Sequence, residues 1–396
     1  MLRLLESSPL PKGLKAVGSR LKVGSLETLI RFSSRISNPH LEEWKGKGGR
    51  VIGYTCSYFP EELVHALGML PFRIRGTGCS GTSLADTWYG PVNCSYTRCC
   101  LQLVLEGRYG FLDGAVISRT CDHVRRMYDC WKAAGNLPPF FYYFGVPHTL
   151  TEHGLEFYRG EISSLRRALE EHFGKRLEEG ELEEAVREYN RGRRLLLRLA
   201  ERRKREAPPV SGQEALALHV TSTSMRREVY NGMLEEALEE IEERGREHRG
   251  ARLMVVGSVN DDSELFRVIE GQGGVVVTDS LCFGMRSIVD LVEEGGDPFE
   301  SLVRRYYYHV PCARTYGEFE RKLGFLRRLI KEWRVEGVIL EHMKFCDTHG
   351  GDNSLFSRRL EEEGVPTLIL ERQYGPLAEV GRIRTRIQAF LERLGG

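Results

Sequence analysis

Short apolar runs alternate with amphipathic stretches over two separate parts of the chain. "RVIGYTC" from Arg50 reads as a buried strand ending in a turn, and "PEELVHALG" follows as a helix with Pro60 at its start and Glu61 and Glu62 in its first turn. Gly68 ends that helix, "LPFRIRG" is the next strand, "SYTRCCLQLVLEG" is helical, and "FLDGAVIS" is a strand again. This alternation predicts an open parallel α/β sheet. Residues 151–250 differ. "ISSLRRALEEHF" and "ELEEAVREYNRGRRLLLRLAERRKRE" set Glu and Arg beside apolar positions at helical spacing until Pro208 and Pro209 break the run, which predicts a helical connector with solvated faces.

After Gly250 the pattern restarts in the same order. "ARLMVVGSVND" matches "GRVIGYTCSYF", "SELFRVIEGQG" matches "EELVHALGM", "GVVVTDSLCFG" matches "PFRIRGTGCSG", and "VPCARTYGEFERKLGFL" stands where "VNCSYTRCCLQLVLEG" stood. "GFLDGAVISRTC" and "VEGVILEHMKFC", each followed by Asp, close the comparison. The expected architecture is α/β: two Rossmann- or flavodoxin-like parallel-sheet lobes, 51–150 and 251–396, related by a diverged duplication. A helical connector at 151–250 joins them, and a helical extension at 1–50 precedes them.

The repeat aligns Cys79 with Cys282, Cys94 with Cys312 and Cys121 with Cys346, while Cys56 falls opposite Asn260. Open α/β sheets bind ligands beyond the carboxyl ends of their strands. Cys56, Cys79, Cys121, Cys282 and Cys346 each follow a predicted strand and are expected to cluster. Cys94 and Cys312 are expected near helix starts, where backbone N–H groups favour a thiolate or an anionic cluster.

Composition narrows the chemistry. The 57 basic and 56 acidic residues leave a net charge of +1, which offers no nucleic-acid surface. No run approaches the roughly 20 apolar residues that span a bilayer, and Met1 to Gly24 lacks a signal-peptide core, so a cytoplasmic protein is expected. There, ten cysteines point to metal or catalysis rather than to disulfides. Zinc and iron–sulfur clusters are the realistic soft-metal choices. Structural zinc favours a closely spaced pair of cysteines in one turn. Adjacent Cys99 and Cys100 do not supply one, and with Cys130 they read as packing. Gly76, Gly78 and Gly81 form Gly-x-Gly-x-x-Gly after a strand, but "TSLADTWYGP" is a poor helix to receive a pyrophosphate, so the match reads as chance.

"GYTCSYFPEELVHALGMLPFRI", "NCSYTRCCLQLVLEG", "FLDGAVISRTCDHVRRMYDCWK", "VVVTDSLCFGMRS", "EGVILEHMKFCD" and "GRIRTRIQAFLERL" resemble the 2-hydroxyacyl-CoA dehydratase and benzoyl-CoA reductase family. The resemblance runs from about residue 50 to the C-terminus. It implies an oxygen-sensitive iron–sulfur protein that receives low-potential electrons from a separate ATP-hydrolysing activator, for difficult reductions or radical-type dehydration of acyl-CoA substrates. Cys56, Cys94 and Cys121 match the ligand cysteines of the first half, enough for a [4Fe-4S] cubane with one iron open to a non-protein ligand. In a double-cubane branch of the family, Cys282, Cys312 and Cys346 would be the second trio of an [8Fe-9S] cluster. A single cubane on the first trio, with the second trio as relics, stays open.

The chain has no Gly-x4-Gly-Lys-Ser/Thr, so ATP would be hydrolysed by a partner. Glu61 and Glu62, just past Cys56, are candidates for proton transfer, set against a plain helix-dipole role. His123, Arg125 and Arg126 after Cys121, and His342 and His349 about Cys346, are candidates for tuning the site or meeting an anionic substrate. Relatives occur as homodimers and heterodimers, and the substrate is a small molecule. Two other classes remain: a zinc protein of structural or regulatory role, and a non-catalytic subunit.

Overall fold

The computed structural model describes residues 24–375 and 379–395. Of the expected N-terminal extension, 1–23 lie outside the described residues. The rest forms α1 (Ser25–Ser33) and α2 (Pro39–Gly46), with Asn38 capping α2 through the Leu41 N–H.

The first lobe runs β1 (Val51–Tyr54), α3 (Glu61–Ala66), β2 (Leu70–Arg73), α4 (Ser83–Tyr89), α5 (Ser95–Leu105), β3 (Gly114–Arg119), α6 (Asp122–Ala134) and β4 (Phe140–Gly145). Four helices follow: α7 (Glu152–Phe173), α8 (Glu181–Arg202), α9 (Gly212–Thr221) and α10 (Arg227–Glu243). The second lobe comprises β5 (Ala251–Val256), α11 (Glu264–Glu270), β6 (Gly274–Ser280), α12 (Pro298–Tyr308), α13 (Phe319–Trp333), β7 (Gly337–Met343), α14 (Asp347–Glu362), β8 (Thr367–Arg372) and α15 (Val380–Gly395).

Each lobe holds one four-stranded parallel sheet, ordered β2-β1-β3-β4 and β6-β5-β7-β8. Relative to the chain, both orders are second, first, third, fourth. Both sheets are covered on two faces, as parallel sheets require. Val51 enters one apolar core while Ile52 and Tyr54 enter another. In the second lobe Leu253 and Val255 face one core and Met254 and Val256 the other.

The connector is more than a solvated cap. α8 sends Leu182, Ala185 and Val186 into a core of the first lobe, and Leu195, Leu196 and Leu199 into a core of the second. It therefore welds the lobes together while most of its Glu and Arg residues stay outside; Arg193 alone among them is buried, against Glu62. Direct bonds do the same near the cleft: Arg73 donates to the Cys282 carbonyl at 2.9 Å, and Tyr58 accepts from the Cys312 N–H at 3.2 Å. No helix among the described residues is long and apolar enough to cross a membrane.

One local expectation changes, and the glycine-rich loop gains a physical reason. "TSLADTWYGP" does form a helix, α4, because Arg98 pairs with Asp86 at 2.6 Å and also reaches Thr82. Its seven residues remain too few to present a phosphate site. Gly76 is explained by packing instead, since a Cβ there would meet the Tyr374 ring at 2.4 Å. Cys312 is not at a helix start: a turn closes from the Thr315 N–H to the Cys312 carbonyl, Gly317 takes φ +83°, and α13 begins only at Phe319.

Candidate functional site

In both sheets the strand order reverses beside the first strand, between β1 and β3 and between β5 and β7. Crevices form at such switch points. Cys56 follows β1, Cys121 follows β3, Ser258 and Val259 follow β5, and Cys346 follows β7. All of them line one cavity of about 90 Å³. Cys94, Cys282 and Cys312 complete its thiols, three from each lobe. The six cysteines expected as ligands thus meet at one place.

The backbone explains how. Cys94, Cys121 and Cys346 are the N-cap residues of α5, α6 and α14, yet none of their side chains caps its helix. The thiols instead face the cavity, beside helix ends that favour negative charge. In each Cys-Asp pair the aspartate, Asp122 or Asp347, opens the first helical turn and points to solvent. Phe345, with φ 66° in the left-handed region, turns the chain so that Cys346 can end the strand and begin the helix.

The remaining cysteines lie elsewhere. Cys79 lines a separate cavity with Gly76, Asp261 and Tyr374, so the expectation that it joins the strand-end cluster is not met. β2 ends at Arg73, and the loop to Cys79 carries it away from the cleft. Cys99, Cys100 and Cys130 pack in the first-lobe core, as expected.

Among the described residues no Asp or Glu lines the thiol cavity, but Arg73, Arg314 and His349 do. Arg286, just outside, donates to the Cys282 sulfur at 3.1 Å. The Nε of Arg73 and the Nε and one Nη of Arg314 are buried without partners. Burial pushes the Cys56 and Cys94 thiols up, and Cys121 and Cys346 up to about 12, with neighbouring thiols adding to the effect at Cys56, Cys121 and Cys346 and Asp347 at Cys94. Burial also holds His349 well below the usual imidazole range, with Arg286 and Lys322 contributing, so it is neutral beside Cys312. Sequence reasoning missed the arginines. The signal for one of them was Arg73, a charged residue in an otherwise apolar strand.

Glu61 and Glu62 are not among the residues that line this cavity. Glu62 is fully buried, pairs with Arg193 at 2.5 Å and accepts from the Tyr306 hydroxyl at 2.7 Å; Glu61 accepts from Arg227 at 3.1 Å. Arg125 and Arg126 are exposed beside Asp122 and Asp129, and the His123 ring meets Asn93.

Among the described residues no three His, Cys, Asp or Glu side chains converge on one metal ion. Six thiols spread around a cavity suit an extended group better than a single ion. Thiolates are the usual ligands of iron–sulfur clusters, and unpartnered guanidinium groups without carboxylates suit an anionic one. The residues present therefore fit such a cluster.

A two-lobed α/β protein with thiols from both lobes in its cleft is the class that fold and site define. The profile of the family described as 2-hydroxyglutaryl-CoA dehydratase, D-component, matches residues 56–394, and the chain belongs to that family. It is 28% identical to a benzoyl-CoA reductase subunit from Thauera aromatica over 335 residues, 82% of this chain and 86% of that one. It is 24% identical to the (R)-phenyllactyl-CoA dehydratase beta subunit of Clostridium sporogenes, covering 92% and 97%. The beta subunit of (R)-2-hydroxyglutaryl-CoA dehydratase from Acidaminococcus fermentans matches at 23%, covering 89% and 95%.

Proposed function

We propose that the chain is the iron–sulfur component of a reductase or dehydratase, its six thiols holding a double-cubane [8Fe-9S] cluster. The observation that carries this reading is selective: of ten cysteines, the six that line the cleft cavity are the two trios, one from each lobe. A bound cluster supplies low-potential one-electron chemistry. The chain's own part is to hold it between rigid sheet ends, to keep carboxylates away from it, and to set Arg73, Arg286 and Arg314 about it. Burial raises the free thiols, so loading the site must displace protons from them.

Electrons would come from a separate ATP-hydrolysing activator, because this chain carries no phosphate-cradling loop of the Walker type. The similar proteins are named as subunits of a reductase and of dehydratases, which supports action with a second subunit or a second copy. A small molecule entering the cleft would be the substrate, an acyl-CoA being the class acted on by those relatives.

The alternative is a [4Fe-4S] dehydratase subunit that uses Cys56, Cys94 and Cys121 alone. Iron and acid-labile sulfide per chain on protein purified without oxygen decide between them. About eight irons and nine sulfides support the double cubane, about four of each the single one, and a colourless protein with zinc overturns both.

A further inference from the structure

A second, smaller cavity adjoins the first through Arg73, whose side chain lines both. Its volume is about 30 Å³. A water needs roughly 10–15 Å³ by this measure, so the chamber has room for a species of about two waters in size. Four arginines converge on it from distant parts of the chain: Arg73 ending β2, Arg193 on α8, Arg227 opening α10 and Arg305 on α12. All four are buried.

Their charges are not matched. Glu62 pairs with Arg193 and Glu61 with Arg227. Arg305 is held by the Ser287 and Asp290 carbonyls at 2.6 and 3.0 Å. Even with half-buried Asp290, whose charge bears on Arg305, counted in, four guanidinium groups meet three carboxylates among the described residues. The Nε of Arg73 and the Nε of Arg227 are both buried without an acceptor. Buried N–H groups without acceptors, and a buried excess of positive charge, are both costly. One small anion taking both Nε–H groups relieves the two costs together.

We propose that this chamber is a binding site for a small monovalent anion of halide, nitrate or formate size, held by Arg73 and Arg227. Its volume excludes a phosphate ester or a nucleotide. Because Arg73 also lines the thiol cavity, the bound anion would lie one side chain away from it. An anionic group in the thiol cavity would share the Arg73 charge but leaves the Arg227 Nε–H, which lines the chamber and not that cavity, still without an acceptor.

The test uses the full chain prepared without oxygen. Crystals are soaked in sodium bromide, and anomalous data are collected for the wild type and for Arg227→Met. Since that change orphans the Glu61 carboxylate, the double variant Glu61→Gln/Arg227→Met is run beside it. In solution, bromide replaces gluconate at constant ionic strength while the unfolding temperature is followed. A bromide peak between Arg73 and Arg227 is expected in the wild type, with a saturable thermal response, and both should be lost in the double variant. No peak in the wild-type chamber, or a thermal response identical in wild type and double variant, overturns the proposal.

Discussion

The Nη2 of Arg286 donates to the sulfur of Cys282 at 3.1 Å, and the same guanidinium is fixed by the Ser280 and Gly257 carbonyls at 2.7 and 2.9 Å. A cation and donor locked against a sulfur proposed as a cluster ligand would stabilise added electron density on the group that sulfur would hold. Arg286→Met is expected to lower the midpoint potential of the cluster at unchanged iron content. A hydrogen bond to a charged group is worth about 1.5 kcal/mol or more, and about 1.4 kcal/mol is roughly 60 mV for one electron. An EPR-monitored redox titration measures the shift, and equal potentials in the two proteins refute this role.

The two cysteine trios predict different iron losses. With a double cubane, Cys346→Ala is expected to halve the iron per chain, and Cys121→Ala or Cys94→Ala to strip iron and activity together. Cys79→Ser should leave iron unchanged, since Cys79 lines another cavity. Metal analysis of the four variants, purified side by side without oxygen, decides the assignment. Full iron in Cys121→Ala removes that residue from the ligand set.

How much of this was legible depends on how local each signal is. The strands ending at Cys56, Cys121 and Cys346 are local, because an apolar run and the turn after it lie within ten or so residues, and strand ends determine where a parallel sheet binds. Cys312 was harder, since the helical pattern of "EFERKLGFL" runs close up to a turn that only the Gly317 backbone reveals. The arginine chamber was beyond reach. Arg73, Arg193, Arg227 and Arg305 come from four elements, and no period in the chain relates them. That Glu62 lies outside the thiol cavity was hidden for the same reason: Arg193 and Tyr306, which hold it, are each more than a hundred residues away.

That claim on Glu62 makes a stability prediction. Burial pushes its carboxyl up, but Arg193, Arg305 and the Tyr306 hydroxyl hold it below the usual carboxylate range, so it is ionised. Glu62→Ala leaves Arg193 buried without its partner, and breaking a buried pair on one side typically costs about 3–5 kcal/mol. Denaturant unfolding under argon should show a loss of that order, with iron per folded chain unchanged. A variant as stable as wild type but catalytically dead would instead support Glu62 as a proton-transfer group.

His219 gives the fold an acid limit of its own. Its ring is buried on α9, its Nδ1 has no partner, and burial, reinforced by Arg203, lowers its pKa from the ordinary 6.5 to about 3. Between those values the unfolded chain binds a proton here that the folded chain does not. Stability is therefore full above pH 6.5 and falls as the pH drops toward 3, by about 1.4 kcal/mol per pH unit well inside the window. His219→Leu removes the titrating group at similar volume. Urea midpoints of the two proteins at pH 7.5 and pH 5 isolate the effect, because the other titrating groups cancel in the difference. The variant should lose less stability on acidification than the wild type by about 2 kcal/mol, and parallel losses would show that the imidazole stays uncharged in both states or finds a partner when it protonates.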